Sequence, residues 1–129
     1  MTRELLDKAD KAVASARLLL AADDTEGATN RAFYGMFAAA AAALQWAGIG
    51  SGQSYPKTHS GLIGSVELHL VQTGRLSAAL GRSLNRVQEL RLIADYLAEP
   101  VPATKPRWAI EEAGKFVAAV RALLAQPRA

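Results

Sequence analysis

Residues 25–46 read TEGATNRAFYGMFAAAAAALQW, and this stretch decides the fold. It contains no proline and no alternation of apolar and polar residues, so its apolar content is organised for a helix rather than a half-buried strand. Asp23, Asp24 and Thr25 supply an N-cap cluster, and Glu26 places a carboxylate in the first turn, where the helix dipole favours it. From Ala38 to Ala43 every residue is alanine. Small side chains on all faces let neighbouring helices approach closely, so this helix is expected at the centre of a bundle.

Working outward, apolar residues between Arg3 and Ala21 recur at helical spacing: Leu5, Leu6, Ala9, Val13, Ala16, Leu19 and Leu20 fall on one side, and Lys8, Lys11 and Arg17 fall mostly off it. On the other flank, Gly48, Gly50, Ser51, Gly52, Ser54 and Pro56 make one substantial loop. Helical periodicity resumes from Thr58 through Gln72, stops at Gly74, and restarts after Ser77, an expected N-cap, to run to about Leu97. Pro100 and Pro102 end that helix, and a last one extends from about Pro106 to Leu124. The spacing predicts an all-α fold: an antiparallel bundle of four long helices plus a shorter third one, forming one domain over residues 1–129.

Composition narrows the function classes. A chain of 129 residues that is 50% hydrophobic can bury one core without staples. Cysteine is absent, which excludes disulfides, zinc–thiolate sites and thiol nucleophiles. The longest apolar stretch, Met36 to Leu44, is too short to span a bilayer. The charged start, Met1 to Lys8, lacks an apolar signal region, so a cytoplasmic protein is expected. Fifteen basic against twelve acidic residues give a net charge of +3, which permits phosphate contacts without demanding them. No phosphate-binding glycine loop, His-Glu-x-x-His, paired Glu-x-x-His or Gly-x-Ser-x-Gly occurs, so neither a metal site nor a cofactor is expected.

Two polar clusters need a reason to lie on bundle helices. One is Asn30, Arg31 and Tyr34. The other spans Arg86, Glu89, Arg91, Asp95 and Tyr96, with Arg91 and Asp95 at i and i+4. An arginine and a carboxylate at that spacing pair on one face, and as a solvated pair they are worth roughly 0.2–0.5 kcal/mol. Asn30 and Arg31 suit inter-helix or dimer contacts as readily as ligand binding. His59, in Lys57-Thr58-His59 at a helix start, reads as a capping or packing group or as a site residue. His69 falls within an apolar pattern and reads as structural or surface.

These segments carry a resemblance. Asn30-Arg31-Ala32-Phe33-Tyr34-Gly35-Met36-Phe37, Lys57-Thr58-His59-Ser60-Gly61 and Glu89-Leu90-Arg91-Leu92-Ile93-Ala94-Asp95-Tyr96 are similar, in order, to the signature blocks of the HEPN superfamily. More narrowly, the chain resembles small stand-alone HEPN proteins paired with a nucleotidyltransferase-like partner. The resemblance implies a bundle that forms a homodimer in which polar motifs of both copies face one cleft. It also implies, for many members, metal-independent ribonuclease chemistry through an Arg-x4-6-His motif. There the histidine moves a proton for attack by the ribose 2′-hydroxyl, and the arginine stabilises the developing phosphate charge. Arg91 matches the arginine, but no histidine follows it, and Asp95 and Tyr96 stand at the expected place.

Three functions follow as expectations. In one, the protein is a toxin-like ribonuclease of toxin–antitoxin type, with Arg91 as phosphate clamp and Asp95, Tyr96 or His59 in proton transfer. In another it binds RNA or nucleotide phosphates through Asn30, Arg31, Tyr34, Lys57 and Arg86. In the third it is a non-catalytic interaction partner of a nucleotidyltransferase-like protein, with Tyr96 as a modification target.

Overall fold

The computed structural model describes residues 2–49, 58–96 and 101–127. The element order is α1 (Thr2–Ala21), α2 (Thr25–Trp46), α3 (His59–Val66), a π-helical turn (Glu67–Val71), α4 (Ala78–Tyr96) and α5 (Thr104–Leu124). All elements among the described residues are helical, in the expected arrangement of four long helices and a short third one. The π-helical turn was not legible in the periodicity.

Local chemistry sets the helix ends. Asp24 caps α2 by accepting from Gly27 N at 2.9 Å, Thr58 caps α3 through Gly61 N at 2.9 Å, and Ser77 accepts from Leu80 N at 3.2 Å at the start of α4. Three C-termini close with a left-handed residue: Asp23 (φ 63), Gly48 (φ 89) and Gly74 (φ 78). Each carries the paired bonds of a Schellman turn. After α1, for example, Asp23 N bonds to Leu20 O and Asp24 N to Leu19 O, at 3.0 and 2.9 Å. Glycine takes that conformation freely, whereas Asp23 takes it under strain.

The helices run antiparallel. Asp10 pairs with Arg121 at 2.6 Å and Arg17 lies beside Gly114, while Ser83 bonds Glu112 at 2.6 Å and Leu90 shares a hollow with Thr104, so both α1 and α4 run against α5. Helices α1 and α2 approach closely at Gly35, where an added Cβ would lie 2.8 Å from Val13 Cγ2 and 3.3 Å from Ala9 O. The alanine run is buried throughout, as its central position requires. Phe33, Met36, Leu44, Leu62, Leu70, Leu84 and Phe116 fill the core around it at zero exposure. Helix α2 touches every other helix, and α3 covers the side where α2 meets α4.

Candidate functional site

The capped start of α3 places the central group. With Thr58 as N-cap, His59 is the first helical residue, and its ring lies edge-on against Phe33, Tyr34 and Phe37 of α2, with centroids 5.1, 5.9 and 5.0 Å away. From α4, Arg91 reaches the same place: its Nη2 lies 3.2 Å from His59 Nδ1, and its guanidinium stands over the Phe33 ring at 5.2 Å. Guanidinium nitrogens can only donate, so Nδ1 is the acceptor and the imidazole proton sits on Nε2. Burial first, and the Arg91 charge second, push the pKa of His59 below its ordinary value. The histidine is therefore held neutral and aimed by the arginine.

Arg91 is anchored on its other edges. Its Nε donates to Gln88 Oε1 at 3.2 Å, and its Nη1 donates to Asp95 Oδ2 at 2.9 Å. The Arg91 side chain is only 13% exposed and that of Asp95 33%, so this pair is less screened than the solvated bridge that spacing alone suggests. Three of the five guanidinium N–H groups are thus engaged and two remain. His59 Nε2–H is a further donor, on the ring edge opposite the one that faces Arg91, beside the aromatic rings of α2.

The other sequence-expected residues divide. Arg31 and Tyr34 line a separate hollow of about 430 Å³ between α1 and α2, with Lys8, Lys11, Leu5 and Phe37. This hollow adjoins the His59 site, because Tyr34 and Phe37 belong to both. Asn30 Oδ1 is buried with no hydrogen-bond partner among the described residues. Arg86 points elsewhere: it pairs with Glu89 at 3.3 Å and lines hollows against α5. Tyr96 is 81% exposed and has no hydrogen bond or ring contact to Arg91 or His59 among the described residues. Lys57 lies outside the described residues.

Sequence reasoning did not single out Gln88, Lys8, Lys11 or the Phe33–Phe37 floor as site residues. Gln88 had a signal, since it stands at i−3 from Arg91 on a buried face. The lysines read as the solvated side of α1 and gained meaning only when α2 packed beside them. Among the described residues no group of three or more His, Asp or Glu could hold a metal ion, and no helix is long and apolar enough to cross a membrane.

A helical bundle whose signature segments meet at one arginine–histidine contact defines the class. The chain belongs to the HEPN domain family, whose model matches residues 2–126. Within it, the chain is similar to UPF0332 protein glr0978 of Gloeobacter violaceus, 32% identical over 94 residues that cover 73% of this chain and 71% of the relative. A UPF0332 protein of Thermotoga maritima is 32% identical over 124 residues, covering 95% of this chain and 84% of the relative.

Proposed function

We propose that the protein is a cytoplasmic homodimer that binds RNA or nucleotide phosphates at the Arg91–His59 site, with metal-independent ribonuclease activity weak or absent. The observation that carries this reading is the 3.2 Å contact between Arg91 Nη2 and His59 Nδ1. It leaves uncommitted N–H groups on both residues, and hydrogen bonds from a guanidinium to phosphate are charge-assisted and strong. The adjoining hollow with Lys8, Lys11 and Arg31 extends positive charge past Tyr34.

The same contact argues against efficient cleavage. Attack by a ribose 2′-hydroxyl needs a base with a free lone pair, and the Nδ1 lone pair of His59 is taken by Arg91 while Nε2 carries the proton. Asp95 is an ion-pair partner of Arg91. HEPN ribonuclease chemistry therefore lacks its proton acceptor until the arginine–histidine bond breaks.

A homodimer is supported by Leu92, Ile93 and Tyr96, which are 38%, 47% and 81% exposed at the end of α4 beside Arg91. A second copy would cover this strip and wall the site; a nucleotidyltransferase-like partner is the competing occupant. Light scattering distinguishes the two, since the isolated protein should have a dimeric mass. For ligand binding, fluorescence anisotropy with a labelled oligoribonucleotide should show salt-dependent affinity, weakened about tenfold or more by Arg91→Ala. Salt-independent binding, or unchanged affinity in Arg91→Ala, would remove the proposal.

A further inference from the structure

On the side of α4 turned away from His59, positions 79, 82, 86 and 90 recur every three or four residues and, with 83 beside them, make one stripe against α5. Two adjoining hollows of about 430 and 320 Å³ lie along it and share Arg86 and Trp108. Trp108 is 37% exposed, although its helix neighbours Ala109 and Ile110 are buried. Arg82 lines the first hollow with it, Lys105, one turn earlier on α5, lines the second, and Arg86 lines both. Arg82 and Lys105 have no acidic partner among the described residues. Arg86 pairs only with exposed Glu89 at 3.3 Å, a contact that a phosphate could displace. The bond from Ser83 to Glu112 ties α4 to α5, and Glu112 is paired in turn with Lys115; the carboxylate that lines the groove itself is Glu89, the partner of Arg86.

We infer that this groove is a second ligand site, in which Trp108 stacks the base of a nucleotide and Arg82, Arg86 and Lys105 hold its phosphate. An exposed indole flanked by cations is the arrangement that binds single-stranded nucleic acid without reading its sequence: the ring takes any base face and the cations follow the backbone. An acidic peptide would use the cations but leave the indole without a role. The site is independent of the Arg91–His59 contact, which lies where α2, α3 and α4 meet.

The chain has two tryptophans, and Trp46 sits apart beneath Arg75. In the full-length Trp46→Phe protein, emission therefore reports Trp108 alone. Hexa-adenylate should quench it saturably, and added salt should weaken the effect. Adenosine monophosphate should quench with lower affinity if the natural ligand is a strand, and equally well if it is a mononucleotide; either result keeps the site. Arg82→Ala with Arg86→Ala, both exposed positions, should weaken binding about tenfold with unchanged circular dichroism. In an Arg91→Ala background, which disables the first site, Trp108→Leu followed by anisotropy should weaken the remaining binding about as much. Arg91→Ala should leave the Trp108 quench unchanged, which separates failure here from failure of the proposed function. Absence of saturable quenching, or equal quenching by polyglutamate, would overturn the inference.

Discussion

His59 and Arg91, 32 residues apart in the chain, meet through Nδ1 and Nη2 at 3.2 Å, a contact that makes Nδ1 the acceptor and favours the neutral ring. Burial of the ring and, after it, the arginine's charge both disfavour the imidazolium. In an NMR titration His59 should titrate below its ordinary value of 6.5, and Arg91→Met should move it upward. An unchanged titration in Arg91→Met would mean that the two side chains are apart in solution.

The same shift has a consequence for stability. A histidine whose pKa is lower in the folded than in the unfolded chain contributes stability that is complete above about pH 6.5 and is lost as pH falls through the folded value. His59→Gln keeps a hydrogen-bond acceptor for Arg91 but does not titrate. Its loss of stability between pH 7 and pH 5, followed by urea unfolding, should be smaller than that of the natural protein.

The close approach of α1 and α2 at Gly35 is open to test by size. Gly35→Val would drive a side chain into Val13 and the Ala9 carbonyl and should destabilise by about 1–3 kcal/mol. Gly64, on α3, has nothing within 4 Å of an added Cβ, so Gly64→Ala should stabilise by up to about 1 kcal/mol. Opposite shifts in Tm are expected from two glycines that look alike in the chain.

Asp23 and Asp24 sit side by side and should respond in opposite directions. Asp23→Gly relieves the left-handed backbone at φ 63 and should stabilise by about 1 kcal/mol. Asp24→Ala removes the N-cap of α2 and should cost about 1 kcal/mol. Thermal unfolding of the two variants checks both; a loss in Asp23→Gly would show that its side chain matters more than its backbone.

The bundle was readable because its signals are local: alanine spacing, the caps at Asp24 and Ser77, and the breaks at Gly48 and Gly74. The π-helical turn was not, since residues 67–71 keep an ordinary helical pattern and the wider turn shows in backbone bonds such as Gln72 N to Glu67 O at 2.9 Å. In the candidate site, the Arg91–Asp95 spacing was visible, but the partnership with His59 comes from the packing of α3 onto α2 and α4. For the same reason Arg86, only five residues before Arg91, turned out to face a different groove beside Trp108. Neighbours in sequence point about 100° apart on a helix, and only packing decides which of them share a site.

The place of Asp95 suggests a gain-of-function test. Asp95→His removes the carboxylate that engages Arg91 Nη1 and puts there an imidazole with an ordinary pKa near neutrality. Cleavage of RNA to 2′,3′-cyclic phosphate ends, resistant to chelators, should rise above that of the natural protein. It should disappear again with Arg91→Ala. No gain in Asp95→His would mean that proton transfer is not the missing element.

The most direct test of phosphate binding by a joined Arg91–His59 unit is a double-mutant cycle on oligoribonucleotide affinity, using Arg91→Ala, His59→Ala and the pair, all in a Trp108→Leu background that removes the second groove. If both donors serve one phosphate and the arginine orients the histidine, each single variant should bind about tenfold more weakly, and the double variant should be little worse than either. Losses that simply multiply, or single variants that bind as tightly as the natural protein, would contradict a shared site.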